Sequence, residues 1–128
     1  MNYILDTHVL LWFANNDPRI SEKAENIIKT SKNNIFLSSA VVWEISIKLK
    51  LGKINIDVDL DTFVSEIIRA YNFIPFPVTI PHAIQVYNLK EIHKDPFDRM
   101  LIAQSISSGY PIITSDSQIK KYKVKTVW

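Results

Sequence analysis

The chain has 128 residues, a formal net charge of +2 and no cysteine, and 47% of its residues are hydrophobic. That length suits one domain with a core of its own, expected over residues 1–128, and the missing thiols exclude disulfides, thiolate metal sites and a cysteine nucleophile. So small a net charge does not mark a nucleic-acid binder, although Lys120, Lys121, Lys123 and Lys125 crowd the C-terminal end, as a solvated face or as a surface for phosphates.

Asn2 to Leu5 is predicted to be a short buried strand, closed by Asp6, and Val9 to Phe13 then suit a buried helix. The start carries neither a basic run nor an unbroken apolar one, and no later segment stays apolar over the roughly 18 residues of a membrane span. A cytoplasmic protein is expected. Ser21, with Glu22 and Glu25 behind it, caps a second helix, and Ile35 to Ser38 reads as a second strand.

Ala40 to Leu51 is ambiguous. Ile45-Ser46-Ile47-Lys48-Leu49 alternates as a strand does, while Val41, Ile45 and Leu49 keep helical spacing with Gly52 as a stop. Periodicity alone leans toward strand.

Asp61 is expected to cap a helix through Tyr71, and Phe73 to Phe76 is strand-like with a proline that suits only a sheet edge. Pro81 opens a short helix ending near Asn88. Asp95-Pro96-Phe97-Asp98 is a helix start, with Asp95 as N-cap, Pro96 in the first turn and Gly109 as the terminator. Pro111 to Thr114 and Lys123 to Val127 supply two more strands. Strands alternating with helices point to an α/β fold with a parallel sheet.

Groups beyond the carboxyl ends of parallel strands share a crevice. Asp6, Asp116 and the acid nearest the second strand, Glu44, should meet there. Carboxylates brought so close repel, so without a neighbouring Lys or Arg they take up protons or require a cation. A hard oxygen-seeking ion, Mg²⁺ or Mn²⁺, answers that need, and it can orient a water for in-line attack on a phosphodiester. Each acid also has a structural reading: Asp98 at a helix N-terminus, Glu44 paired with Lys48, Asp6 and Asp116 capping turns. Asp57 to Asp61 has the acid spacing of a calcium loop, but Thr62 and Ile68 stand where glycine and glutamate are required.

Leu5-Asp6-Thr7-His8, Ser39-Ala40-Val41-Val42-Trp43-Glu44-Ile45, His93-Lys94-Asp95-Pro96-Phe97-Asp98-Arg99 and Thr114-Ser115-Asp116 together resemble, in order and spacing, the PIN domain and within it the VapC-type toxins. The resemblance spans essentially the whole chain. It implies a three-layer α/β/α fold with a five-stranded parallel sheet, and it places Ala40 to Leu51 on a helix. It also implies an acidic quartet at Asp6, Glu44, Asp98 and Asp116, with Asp6 and Asp98 as the direct metal ligands and Thr114 and Ser39 in support. The activity implied is Mg²⁺-dependent endoribonuclease cleavage of tRNA, rRNA or mRNA, silenced by a small VapB-like antitoxin, often in a homodimer. Trp12, Phe13, Trp43 and the helix after Asp61 could receive a partner or belong to the core. Arg99 and the C-terminal lysines could guide the RNA backbone, Asp95 is explained by its cap, and His8 and His93 frame the acids.

Two other functions compete. A receiver or phosphatase shares the sheet and the acids, but a receiver needs an acceptor aspartate after a central strand, and here the second strand ends in Ser38-Ser39. A non-catalytic RNA-binding module would use the basic end alone, yet all four acids are present.

Overall fold

The computed structural model describes residues 1–128. A parallel sheet runs through its centre, built from β1 (Asn2–Leu5), β2 (Asn34–Ser38), β3 (Ile74–Phe76), β4 (Ile112–Ile113) and β5 (Thr126–Val127). The strand order is β3-β2-β1-β4-β5. Six helices flank it: α1 (Thr7–Ala14), α2 (Glu22–Lys29), α3 (Ser39–Lys50), α4 (Leu60–Tyr71), α5 (Ile80–Tyr87) and α6 (Pro96–Ser108). This is the three-layer α/β/α arrangement that strands alternating with helices call for.

The central strands are apolar on both faces because helices cover both. Ile4, Leu5, Ile112 and Ile113 are fully buried, and Ile35 and Leu37 nearly so. The chain builds the sheet outward from β1 through β2 to β3, then returns to β1's other side for β4 and β5. The connections therefore reverse direction between β1 and β4, and that switch point leaves a crevice at the carboxyl ends of those two strands.

Local chemistry sets most helix boundaries. Ser21 accepts from the Ala24 N–H to open α2, and Asp95 accepts from the Phe97 and Asp98 N–H groups to open α6. Thr79 and His82 form a reciprocal capping box on α5, with Pro81 in its first turn. Gly109, at φ +77°, terminates α6. Pro75 lies in β3, at the sheet edge.

One expectation is corrected. The N-cap of α4 is Asp59, whose side chain accepts from Thr62 N–H, and Asp61 is in the first turn. Residues 39–50 form a helix, as the resemblance implies and against the alternation that leans toward strand. Val41, Glu44 and Ile45 are buried together on one side of α3, whereas Ile47 and Leu51 are exposed. Apolar residues on the outer face create an apparent period of two that the buried face does not share.

Candidate active site

Asp6 follows β1 directly and Thr114 to Asp116 follow β4, so the switch crevice brings both acids to the same end of the sheet. Glu44 enters from the second turn of α3, and Asp98 from the first turn of α6. Burial, and then the charges of Asp6, Asp95, Asp116 and Glu44, push the Asp98 carboxyl up to about 8. Burial is also the main cause that raises Asp6, opposed by the Thr114 hydrogen bond and by His8 and reinforced by Asp116 and Glu44. Asp6 and Asp116 thus interact across 110 positions of sequence.

Each carboxylate is held differently. Thr114 Oγ1 donates to Asp6 Oδ2 at 2.6 Å and accepts from the Asp116 N–H. Thr7 Oγ1 donates to Glu44 Oε1 at 2.6 Å, and Lys48 Nζ lies 2.7 Å from Glu44 Oε2. Asp116 Oδ1 accepts from the Gln118 N–H at 2.7 Å, which caps the turn after β4.

Asp98 Oδ2 is 3.3 Å from His93 Nε2, and proton bookkeeping fixes the direction of that bond. The Tyr122 hydroxyl accepts from Arg99 at 3.0 Å and from the His93 N–H at 3.3 Å, so its single proton goes to His93 Nδ1, 2.8 Å away. With Nδ1 accepting, the imidazole carries its hydrogen on Nε2 and donates it to Asp98. Tyr122 and Arg99 orient His93, and His93 orients Asp98.

Asp6 Oδ1 is the buried side-chain oxygen without a hydrogen-bond partner. An unpartnered buried carboxylate oxygen is strongly unfavourable unless a cation or proton reaches it, and no lysine or arginine pairs with Asp6. No three His, Asp or Glu side chains close on a common point. That is unlike the all-protein cage of a structural zinc site. It fits a hydrated hard cation, which takes one or two carboxylates directly and meets the others through water. The donor set is wholly oxygen.

The family model for the PIN domain matches residues 3–125. The chain belongs to the PIN domain family. A search of curated proteins by sequence gives no significant match. Among solved structures, this PIN fold is similar to VapBC2 from Rickettsia felis bound to a promoter DNA fragment (TM-score 0.75, 16% identity, covering 99% of this chain and 98% of that one). It is similar to FitAcB from Neisseria gonorrhoeae (TM-score 0.65, 15% identity, 98% and 96% covered). It is also similar to the PIN domain endonuclease Utp24 (TM-score 0.53, 18% identity, 94% and 74% covered).

Three of the expected supporting residues, Ser39, Arg99 and Asp95, hydrogen-bond to groups other than the four acid side chains. Ser39 is exposed, with its Oγ 3.5 Å from the Phe76 carbonyl, and the residue that caps α3 is Ser38, which is fully buried and also donates to Gln104. Arg99, expected beside the RNA backbone, has protein partners instead. It is buried, and its guanidinium donates to the carbonyls of Val86, Lys90 and His93 as well as to Tyr122, tying the segment before α6 to the domain. Asp95 is the N-cap of α6. The four C-terminal lysines are exposed. Phe13 belongs to the core and Trp12 packs against it, while Trp43 is 63% exposed between two apolar grooves, one toward α4 and β3, the other toward α5 and α6. Thr7 and Tyr122 escaped the sequence reading. Thr7 is adjacent to an acid, a usable signal, whereas nothing local points from Tyr122 to His93, 29 residues away. No helix is long and apolar enough to cross a membrane.

Proposed function

We propose that this PIN domain is a metal-dependent endoribonuclease of the VapC toxin type, with Asp6, Glu44, Asp98 and Asp116 as its acidic centre. The observation that carries the reading is Asp6 Oδ1, buried and unpartnered beside acids whose charges add to the raised proton affinity of Asp6 and Asp98. Asp6 and Asp98 would hold Mg²⁺ or Mn²⁺ directly, with Glu44 and Asp116 meeting it through water. The ion, when bound, supplies charge neutralisation at the phosphodiester and a more acidic water.

The protein's own residues supply orientation. Thr114 takes one oxygen of Asp6 and leaves the other free for the ion. Thr7 and Lys48 fix Glu44 at the crevice wall, and the hydrogen on His93 Nε2 holds the Asp98 carboxylate in one rotamer. The exposed C-terminal lysines suit the backbone of a single-stranded RNA. The apolar grooves beside Trp43 suit a small antitoxin, and a homodimer and a cytoplasmic setting complete the proposal.

The test is an endonuclease assay on total RNA with Mg²⁺ or Mn²⁺, with and without EDTA. Metal-dependent cleavage by the wild type and its loss in Asp6→Asn are expected. Cleavage retained by purified Asp6→Asn, or unaffected by EDTA, removes the proposed centre.

A further inference from the structure

One cluster beside the acids has no part in that scheme. His8, two residues after Asp6, is exposed on the outer face of α1, and its ring centroid lies 5.9 Å from that of Trp12, one turn on. Trp12 meets Trp128 edge-on at 5.8 Å, and the Arg19 guanidinium lies over the Trp12 ring at 5.1 Å. Trp128 follows β5, so it stands at the same end of the sheet as Asp6 and Asp116. Arg19 is 68% exposed, and Asp17 holds it through Nη2 at 2.7 Å and Nε at 3.1 Å. That pairing engages two of its nitrogens and holds the guanidinium over the indole. It is thereby better placed to stack than to clasp a phosphate.

We propose that His8, Trp12, Arg19 and Trp128 form a stacking platform for an unpaired nucleobase of the RNA strand held at the acidic centre, a proposal that rests on the ribonuclease reading above. Single-stranded RNA is recognised by stacking its bases on aromatic, histidine and arginine planes. This cluster offers those three kinds of plane in contact with one another, at the edge of the crevice where a phosphodiester would lie. His8 and Arg19 present the exposed faces, and the two half-buried indoles back them. Stacking of this kind tolerates any base, because every base has a π face. The platform therefore sets where the strand lies relative to the acids and leaves sequence choice to other contacts.

The probes are a fluorescein-labelled oligoadenylate about 12 nucleotides long and an abasic ribose-phosphate chain of the same length. Binding is followed by anisotropy with Ca²⁺ in place of Mg²⁺. The wild type should prefer the base-bearing chain, and His8→Ala and Arg19→Ala should each weaken that chain about 5- to 100-fold while leaving the abasic one unchanged. The salt dependence of binding should stay at the wild-type slope, because no phosphate contact is lost. In a Trp43→Phe background, oligoadenylate should quench the fluorescence of the remaining two tryptophans.

Both variants are at exposed positions and their folding is checked by thermal melts. Equal losses on both chains would mean a charge contact and overturn the platform. Wild-type affinity of both variants for oligoadenylate would also overturn it, and would point to a protein partner on this face if they then fail to bind one. In either case metal-dependent cleavage of total RNA, measured separately, still stands. If the wild type neither cleaves RNA nor binds either chain, the platform and the ribonuclease reading fall together.

Discussion

Asp6 and Glu44 are equally buried, each 3% exposed, and face the same crevice, yet the protein treats them in opposite ways. Glu44 has a hydroxyl on one oxygen and the Lys48 ammonium on the other. Asp6 has a hydroxyl on one oxygen and nothing on the other. A buried carboxylate must find a counter-charge or take up a proton. Glu44 finds its cation four residues along its own helix. Asp6, at the end of a strand, has no lysine or arginine beside it, so it either takes up a proton, in line with its raised pKa, or draws a cation from outside the chain.

The sharpest way to break this contrast is to remove each charge in turn. Asp6→Asn is expected to lower metal-dependent RNA cleavage by about a thousandfold or more, comparable to losing a principal electrostatic contact to a transition state. It should also abolish the rise in Tm that Mg²⁺ or Mn²⁺ gives the wild type, read by differential scanning calorimetry. An unchanged metal-induced Tm shift in Asp6→Asn would show that the ion binds elsewhere.

Next in size is metal affinity. His93→Ala and Tyr122→Phe both undo the orientation of Asp98, the first directly and the second through the imidazole. About 10- to 100-fold weaker Mn²⁺ binding is expected for His93→Ala, as for other groups that orient a ligand, and a smaller loss for Tyr122→Phe. Isothermal titration provides the measurement, and wild-type affinity in both variants would reduce this chain of hydrogen bonds to scaffolding.

Lys48→Met would make Glu44 resemble Asp6. Its buried carboxylate loses the ammonium while keeping Thr7, which costs about 1–3 kcal/mol of stability given that Lys48 is partly solvated. Denaturant unfolding should show it, and added Mg²⁺ should restore part of the loss. A neutral result would mean that solvent already screens the pair.

A pH dependence provides a further test. Asp98 ordinarily has a pKa of 3.8 and is raised here to about 8, first by burial and then by its acidic neighbours. The folded protein therefore holds a proton that the unfolded chain releases. This contribution to stability is complete below the unfolded value, falls as pH rises, and is gone above about 8. Without metal, the wild type should lose Tm relative to Asp98→Asn between those limits. With saturating Mg²⁺ the trend should reverse, because the metal requires the ionised carboxylate. Parallel Tm curves for the two proteins without metal would contradict the raised value.

What could be read from the sequence was chemistry that acts over a few residues. Asp95, Pro96 and Gly109 delimit α6 through hydrogen bonds and dihedral preferences that depend only on near neighbours, so its bounds were legible. α3 was not, because exposed Ile47 and Leu51 blur the stripe formed by Val41 and Ile45, and only the packing of the sheet decides which side faces inward. The acids show the same division. Their types and their places after strands were visible, and so was the i,i+4 spacing of Glu44 and Lys48. Ser38 bonded to Gln104, and Arg99 as a buried tie, depend on which side chains meet across the fold. No local pattern encodes the meeting of Arg99, Tyr122 and His93.

Pro75 in β3 has a consequence for assembly. A proline contributes no amide hydrogen, and β3 is a three-residue strand at one flank of the sheet, while β5 at the other has only two residues. Neither flank presents a long row of open amides and carbonyls, so the sheet is poorly suited to lengthening by recruiting a ribbon from another molecule. The open apolar surface is helical instead: on the outward side of α5, Ile80, Ile84 and Tyr87 recur at successive turns and stand 77%, 59% and 88% open to water.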